Sequence, residues 1–147
     1  MIAEKAVDIL VVEDNADDAR LALAAIKARG LGGNFVHLAD GDEVIDFVCA
    51  SSLSANWKVE NAPRVILLDL KLRRMSGLEV LQQLKAEERT RAIPVVMLTG
   101  SLDEQEMLKC YRLGANSYVI KPSDPKKFNQ VVGDIAHYWL TVNRSFH

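Results

Sequence analysis

Three carboxylates and one lysine follow apolar runs directly, at places where a buried strand would be expected to end in a turn-forming residue. Glu13 and Asp14 follow Ile-Leu-Val-Val, Asp69 follows Val-Ile-Leu-Leu, and Lys121 follows Ser-Tyr-Val-Ile. Because an unpaired charge is costly to bury, we expect these side chains to lie at strand ends around a shared ligand. Carboxylate oxygens favour Mg²⁺ or Mn²⁺, and a lysine beside them can neutralise a phosphoryl group. The pattern therefore predicts a site for a divalent metal and a phosphoryl group.

The segments that carry these residues alternate between predicted strands and predicted helices. The predicted strands cover residues 7–12, 34–38, 64–68, 95–98 and 117–120. The predicted helices cover residues 16–29, 43–49, 103–113 and about 125–142, and one more begins after Gly77. This alternation indicates the α/β class, with a doubly wound five-stranded parallel sheet. Ligands of such sheets lie at the carboxyl ends of the strands, where Thr99 joins the three carboxylates and the lysine.

The bulk composition of the chain excludes several classes of protein. Its 147 residues suffice for one domain with a full hydrophobic core, and 49% of them are apolar against 26% charged. The net charge of −2 gives no case for nucleic-acid binding. No apolar stretch is long enough to span a membrane, and the N-terminus lacks the pattern of a signal peptide. Two cysteines, Cys49 and Cys110, are too few for a disulfide framework, and the lack of a signal-peptide pattern favours a reducing cytoplasm.

Short motifs, taken in their order and spacing, make the chain resemble the receiver domains of two-component response regulators over essentially its whole length. They are Val-Val-Glu13-Asp14-Asn15, Leu-Leu-Asp69-Leu with Ser76-Gly77-Leu78-Glu79, Leu98-Thr99-Gly100, and Gly114-Ala115-Asn116-Ser-Tyr118-Val-Ile-Lys121-Pro122. The resemblance implies the flavodoxin-like (βα)5 receiver fold for residues 1–147, with a core over about residues 7–142 and no output domain. It also implies a signalling module rather than an enzyme, although such a module can catalyse its own phosphorylation and dephosphorylation.

Asp69 is the phosphoacceptor that the resemblance implies, taking a phosphoryl group from a phosphohistidine on a sensor kinase. An aspartate is a competent nucleophile toward phosphorus. Lys121 pairs with the phosphoryl group, while the Thr99 hydroxyl and the backbone N–H of Gly100 hydrogen-bond its oxygens. The family further implies that Thr99 and Tyr118 act as a switch, in which Tyr118 changes rotamer as Thr99 moves toward the phosphoryl group.

The metal ligands implied by the resemblance are Asp14, Glu13 and Asp69, together with the backbone carbonyl of Lys71. Asp14 binds Mg²⁺ directly, and Glu13 binds it directly or through water. Mn²⁺ can take the same place, because both cations prefer oxygen ligands. The resemblance also implies a cis peptide bond before Pro122, an isomer that is accessible almost only before proline.

The chain departs from the family in the loop after the phosphoacceptor. Receivers usually carry proline four residues after that aspartate, whereas this chain has Arg73. Lys71, Arg73 and Arg74 therefore place three positive charges around an acidic pocket. They either tune Mg²⁺ affinity, dephosphorylation or kinase recognition, or are simply solvated loop charges. Gly100 stands where receivers often have alanine, and we expect the loop to tolerate it.

Two features narrow the resemblance to a group of response regulators. Residues 51–62 form a long polar segment, predicted as a surface loop, and the last helix ends in His137-Tyr138-Trp139-Leu140. Both features resemble response regulators that are paired with bacterial and cyanobacterial phytochromes. The implied partner is therefore a sensor histidine kinase that senses light, a bacteriophytochrome.

The last predicted helix is the candidate surface for output, because only a short tail follows it. One apolar seam along this helix is explained by packing on the sheet, and it consists of Phe128, Val132, Ile135, Trp139 and Val142. Apolar surface outside the seam predicts a homodimer, formed by the fourth helix, fifth strand and fifth helix, or by the fifth helix and its flanking elements. The dimer candidates are Val131, Tyr138, Trp139 and Leu140.

Two other functions compete with the phosphoryl-accepting module. An aspartyl-phosphate phosphatase would typically need a second acid two residues after its nucleophile, and Lys71 stands there instead. A pseudo-receiver would act only as a protein-binding scaffold without phosphorylation. The intact acid trio, Thr99 and Lys121 count against that scaffold.

Overall fold

A computed structural model describes residues 7–50, 53 and 62–145 of the chain. Its centre is one sheet of parallel strands in the order β2-β1-β3-β4-β5. The strands are β1 Ile9–Val12, β2 Phe35–Leu38, β3 Val65–Leu68, β4 Val95–Thr99 and β5 Ser117–Ile120. The predicted fold class, a doubly wound parallel sheet of the flavodoxin-like type, is confirmed.

Within the described residues, five α-helices connect and cover the strands. They are α1 Ala16–Ala28, α2 Gly41–Val44, α3 Gly77–Ala86, α4 Glu104–Leu113 and α5 Pro125–His137. The side chain of Asn15 caps α1, accepting a hydrogen bond from the backbone N–H of Asp18 at 3.0 Å. The predicted helix end at Gly114 is also observed, in the left-handed conformation with φ 107°. Among the described residues, none of the helices is long and apolar enough to cross a bilayer.

Two helices widen into π-helix at their carboxyl ends, which the periodicity did not predict. The predicted helix 43–49 begins earlier, at Gly41, and continues as π-helix over Ile45–Ala50. The last helix reaches Val142 as predicted, but its end, Tyr138–Val142, is π-helix. A shift from α to π spacing changes which face of the helix a residue occupies, but it leaves the pattern of apolar residues unchanged. The apolar periodicity therefore does not reveal the shift. The predicted loop 51–62 lies almost entirely outside the described residues.

The core consists of two apolar layers, one on each face of the sheet. One layer packs α2, α3 and α4 against side chains such as Leu10, Ile66 and Met97. The other packs α1 and α5 against Ile9 and Leu67, among others. Strands β1, β3 and β4 are buried along their whole length, which is why their sequences are continuous apolar runs rather than alternating ones.

The apolar seam of α5 packs as predicted for most of its length but not at its end. Val142 is 61% exposed, at the end of the π-helical segment Tyr138–Val142. Trp139 and Leu140, two of the dimer candidates, pack against the layer formed with α1. Val131 is half-buried, and Tyr138 is 46% exposed with its ring edge against Trp139. Tyr138 is therefore the dimer candidate that offers the most side chain to a partner.

Candidate functional site

The predicted acidic residues meet at the carboxyl edge of the sheet, because β1 and β3 are neighbours in register. Val12 pairs with Leu68, so Glu13 and Asp14 leave β1 beside Asp69, which leaves β3. One oxygen from each of the three carboxylates lies within 4.8 Å of the others. Three carboxylate oxygens at this spacing suit a hard divalent cation such as Mg²⁺ or Mn²⁺.

The backbone around Asp69 is held by a close approach that only glycine permits. A Cβ at Gly77 would lie 2.1 Å from the carbonyl oxygen of Asp69, so no larger residue fits there. The Gly77 N–H donates to the carbonyl of Leu70 at 2.8 Å, and the Asp69 N–H donates to that of Val12 at 3.2 Å. The Lys71 N–H donates to Asp69 Oδ1 at 3.3 Å. Helix α3 thus begins directly against the loop that presents the Asp69 carboxylate.

Lys121 lies among carboxylates, as its place after β5 predicted. Its Nζ donates to Glu13 Oε1 at 2.5 Å and to Asp69 Oδ2 at 3.3 Å. Its side chain is only 16% exposed. Burial lowers the pKa of Lys121, but the hydrogen bond with Glu13 and the charge of Asp69 more than offset this effect, so the pKa is raised above its usual value. The ammonium therefore stays protonated and available to an anion.

Glu13 is the other buried charged partner in this contact, a carboxylate rather than an ammonium. Burial, together with the nearby charge of Asp69, raises its pKa to about 7, although the hydrogen bond from Lys121 acts to lower it. Its Oε2 accepts a hydrogen bond from the Asn15 N–H at 3.3 Å, and its backbone carbonyl lies 2.7 Å from His37 Nε2. A bound cation would favour the ionised form of this carboxyl group, which is the form that metal binding needs.

Thr99 and Tyr118, the two predicted switch residues, are connected through Ser101. The Thr99 hydroxyl is buried and accepts a hydrogen bond from the Ser101 N–H at 3.2 Å. The Tyr118 hydroxyl donates to the Ser101 carbonyl at 3.0 Å, on the other side of the same residue. Gly100 is exposed, and a Cβ there would meet nothing within 4 Å, which agrees with its standing at a position where alanine is usual.

The prediction of a cis peptide bond before Pro122 is wrong. No peptide bond among the described residues is cis, so the bond from Lys121 to Pro122 is trans. A proline removes most of the preference for trans but still leaves it about 0.5–1 kcal/mol in favour. The Lys121 N–H is fixed to the Thr99 carbonyl at 2.7 Å, and its side chain reaches the pocket from this backbone conformation.

Three cations follow Asp69 in the loop after β3. Lys71, Arg73 and Arg74 are all exposed, and none of them forms an ion pair within the described ranges. Arg74 has φ 63°, a left-handed conformation that costs a residue with a Cβ about 1 kcal/mol. Where receivers have a rigid proline, this loop has exposed charge and a strained backbone.

Asp18 is the residue of the site that sequence reasoning missed. Its Oδ2 lies 3.3 Å from Lys121 Nζ, so the lysine has three carboxylate partners rather than two. Asp18 lies in the first turn of α1, where the helix dipole favours acids. Its position one turn into a helix that starts directly after β1 is a signal that could have placed it beside the strand ends.

Comparisons with known proteins show which proteins this chain is similar to. A family model described as the response regulator receiver domain matches residues 9–133. The probable methanogenesis regulatory protein FilR2 of Methanothrix harundinacea (strain 6Ac) is 39% identical over 143 residues, which cover 97% of this chain and 90% of that protein. The response regulator Rcp1 of Synechocystis sp. (strain ATCC 27184 / PCC 6803 / Kazusa) is 35% identical over 134 residues, or 90% of this chain and 88% of Rcp1.

Two solved structures are similar to this one over nearly the full length of both chains. The phosphorylated cyanobacterial phytochrome response regulator RcpA has a TM-score of 0.86 and 32% identity, covering 99% of this chain and 100% of its own. The Mn²⁺-bound form of Rcp1 has a TM-score of 0.83 and 32% identity, covering 98% of this chain and 100% of its own.

Proposed function

The chain belongs to the response regulator receiver domain family of two-component systems, and we propose that its Asp69 accepts a phosphoryl group from a sensor histidine kinase. The observation that carries the proposal is the setting of Asp69. Its carboxylate has the Lys121 ammonium at 3.3 Å and two further carboxylates close enough to share a cation. A plain scaffold has no need of a buried lysine among acids, since such groups are costly to bury.

The proposed reaction is a phosphoryl transfer in which a carboxylate oxygen of Asp69 attacks the phosphorus of a phosphohistidine. An O–P bond forms, the P–N bond breaks, and its electron pair leaves with the imidazole of the kinase. Lys121 pairs with the phosphoryl oxygens, on which charge is concentrated during transfer. The Thr99 hydroxyl and the Gly100 N–H can hydrogen-bond the same oxygens, provided that Thr99 releases its contact with Ser101.

Mg²⁺ is the proposed cofactor, and Mn²⁺ can replace it. Asp14, Glu13 and Asp69 would hold the cation together with the backbone carbonyl of Lys71, and it would neutralise charge on the transferring group. The close set of carboxylate oxygens supports this assignment. The similar protein Rcp1 has been solved in an Mn²⁺-bound form.

A bacteriophytochrome is the proposed kinase partner. The proposal is supported by the likeness of the whole chain to RcpA, a cyanobacterial phytochrome response regulator. FilR2, which is also similar, is described as a methanogenesis regulatory protein, so the receiver itself does not dictate light as the signal. Phosphotransfer from every sensor kinase of the same genome would identify the partner, and preference for a kinase without a phytochrome would contradict this assignment.

Output is proposed to pass from Thr99 and Tyr118 to the surface of α4, β5 and α5, through a homodimer. Leu102, Leu108, Tyr111 and Ile120 are exposed apolar residues on or beside α4 and β5, with Tyr138 beyond the end of α5.

No direct nucleic-acid binding is proposed, because the chain has a net charge of −2. A location in the cytoplasm is proposed, because two cysteines in a chain of this kind favour a reducing compartment.

Light scattering tests the dimer. We expect a dimer at micromolar concentration, weakened by Tyr138→Ala, whereas Trp139→Ala would also disturb the core. A monomeric wild-type protein at that concentration would contradict the prediction.

Incubation with acetyl phosphate and Mg²⁺ tests the phosphoacceptor. We expect a stable mass gain that maps to Asp69 and is absent in Asp69→Asn. The control is Asp46→Asn, which changes an exposed aspartate in the π-helix after α2 and should behave as the wild type. Hydrolysis of acetyl phosphate without accumulation would indicate a phosphatase instead. Neither modification nor hydrolysis would indicate a pseudo-receiver.

A further inference from the structure

We propose that Asp18 is a positioning residue for Lys121, the carboxylate that keeps the lysine ammonium beside Asp69 while the other acids are engaged by a cation. The inference rests on the proposed phosphoryl transfer and adds a residue to it. It begins from the three carboxylate contacts of Lys121 Nζ, with Glu13 at 2.5 Å, Asp69 at 3.3 Å and Asp18 at 3.3 Å.

Asp18 differs from the other two partners of Lys121 in its relation to the metal. Glu13 and Asp69 belong to the group of carboxylates that can hold a cation, whereas Asp18 does not. A cation bound there would draw the charge of Glu13 and Asp69 to itself, because a divalent ion is the largest local charge in such a site. Asp18 is then the carboxylate partner of Lys121 that remains fully available to the ammonium.

The backbone of Asp18 is well fixed for this task. Its N–H is bound to the Asn15 side chain at 3.0 Å, and the next residue, Ala19, is buried against the core. Asp18 also borders a cavity of about 10 Å³ beneath the site, together with Glu13 and Asp69. Lys121, by contrast, lies in the segment between β5 and α5 and has a long side chain that loses entropy when it is fixed. A carboxylate on a rigid helix is therefore a suitable anchor for the ammonium.

The chain offers a matched control one residue away. Asp17 lies in the same first turn of α1 and has the same favourable relation to the helix dipole. Its side chain is 78% exposed and pairs with Arg20 at 3.1 Å rather than with Lys121. Replacing either aspartate by asparagine removes one charge from the same turn, but only the change at Asp18 removes a partner of Lys121.

The expected size of the effect follows from the geometry. The contact is longer than an ideal charge-assisted hydrogen bond, and the Asp18 side chain is 34% exposed. We therefore expect Asp18→Asn to lower the rate of phosphorylation by about three- to tenfold rather than to abolish it. Affinity for beryllofluoride, a stable mimic of the phosphoryl group, should fall by a similar factor, because the same ammonium pairs with it.

The experiment compares wild type, Asp18→Asn, Asp17→Asn and Asp18→Glu with acetyl phosphate and saturating Mg²⁺. Asp17→Asn should match the wild type, and Asp18→Glu should recover most of the rate, because a glutamate can still reach Lys121. The NMR signal of the Lys121 side-chain nitrogen should move in Asp18→Asn and stay in place in Asp17→Asn. This signal is measured without any phosphodonor, and a merely structural loss would not single out one lysine.

The results distinguish a failure of the proposed function from a failure of the proposed role of Asp18. If the wild type is not phosphorylated, the proposed function fails, whatever the variants do. If the wild type is phosphorylated and Asp18→Asn matches Asp17→Asn in rate and in the Lys121 signal, only the role of Asp18 is overturned. Faster phosphorylation in Asp18→Asn would also overturn it, because Asp18 would then compete with the phosphoryl group for the lysine. Should Asp18→Asn fold poorly, a slow and well-folded Asp18→Glu would count equally against positioning by charge.

Discussion

Two half-buried lysines lie at opposite ends of the parallel strands, and they differ in the chemical type of their hydrogen-bond partners. Lys121 follows the carboxyl end of β5, and its ammonium contacts three carboxylates. Lys85, in the last turn of α3, contacts neutral acceptors next to the amino ends of β4 and β5. Its Nζ donates to the carbonyls of Arg91 and Ile93 at 3.0 and 2.8 Å and to Asn116 Oδ1 at 3.3 Å.

The pKa values of the two lysines shift in opposite directions. Burial lowers the pKa of Lys85 to about 8, and no carboxylate in the described part of the chain offsets that effect. The pKa of Lys121 is raised, because Glu13 and Asp69 outweigh the same effect of burial. Burial alone therefore does not tell a functional lysine from a structural one. The charge of the partners does, since carboxylates keep an ammonium protonated beside a site for anions whereas carbonyls use it to join segments of backbone.

The largest effect is expected at the lysine among carboxylates. Lys121→Met should lower the rate of phosphorylation of Asp69 by about 100-fold or more, because it removes a charge that stabilises the transferring group. The measurement is the rate of mass gain with acetyl phosphate and Mg²⁺. Lys85→Met is the matched control and should keep the rate within about twofold, since Lys85 is remote from the transferring group. An equal loss in both variants would remove the functional distinction between the two lysines.

The next largest effect is expected at Lys85, the lysine that contacts carbonyls, and it concerns the free energy of unfolding. Lys85→Met should lower the free energy of unfolding at neutral pH by about 2 kcal/mol, because two carbonyls and one amide oxygen lose a donor. Urea denaturation measures the loss, with Lys109→Met, at an exposed lysine of α4, as the control. An unchanged midpoint would show that Lys85 does not join these segments.

The same lysine predicts a pH dependence. Because its folded-state pKa is lowered from 10.5 to about 8, the unfolded chain binds more protons than the folded one between these values. The contribution of Lys85 to stability therefore rises with pH across that window, by at most about 1.4 kcal/mol per pH unit. Lys85→Met should remove this rise, and the same pH dependence of stability in the wild type and in the variant would contradict the assignment.

A smaller change in stability tests the acids around Lys121. Glu13 has a pKa raised from 4.5 to about 7, so its contribution favours folding below 4.5 and is lost as the pH rises through 7. Glu13→Gln, which cannot ionise, should therefore stabilise the metal-free protein by about 1–2 kcal/mol near pH 8 and by little near pH 4. Added Mg²⁺ should stabilise the wild type more than the variant, and a stabilisation by Glu13→Gln that does not depend on pH would contradict this explanation.

The smallest effect is expected at Arg74, a cation for which the described residues show neither carboxylate nor carbonyl partners. Arg74 is exposed, forms no ion pair with the described residues and has φ 63°. Arg74→Gly should raise the free energy of unfolding by about 0.5 kcal/mol, because glycine adopts this conformation without strain but is more flexible when unfolded. A loss of 1 kcal/mol or more, well above the roughly 0.5 kcal/mol that is usual for surface substitutions, would mean that Arg74 has a structural partner after all.

Much of the site was predictable because its residues interrupt strong local patterns. Glu13, Asp14 and Asp69 end apolar runs, and the alternation of strands with helices requires those ends to meet at one edge. The π-helical ends of α2 and α5 were not predictable from periodicity, and neither was the exposure of Val142. The peptide bond before Pro122 was predicted in the wrong isomer, because residue types alone leave the two isomers close in free energy.

The sequence by itself determined which charged residues lie at the edge of the sheet and what chemistry they could do. A charge that ends a buried strand needs a partner or a ligand, and this follows from local pattern and desolvation alone. Only the tertiary structure decided which partners each lysine has. Lys121 and Asp18 are 103 positions apart, and Lys85 and Asn116 are 31 apart, so both contacts depend on the order of the strands and the packing of helices around them. Long-range packing therefore made one lysine a proposed phosphoryl-binding group and the other a structural connection.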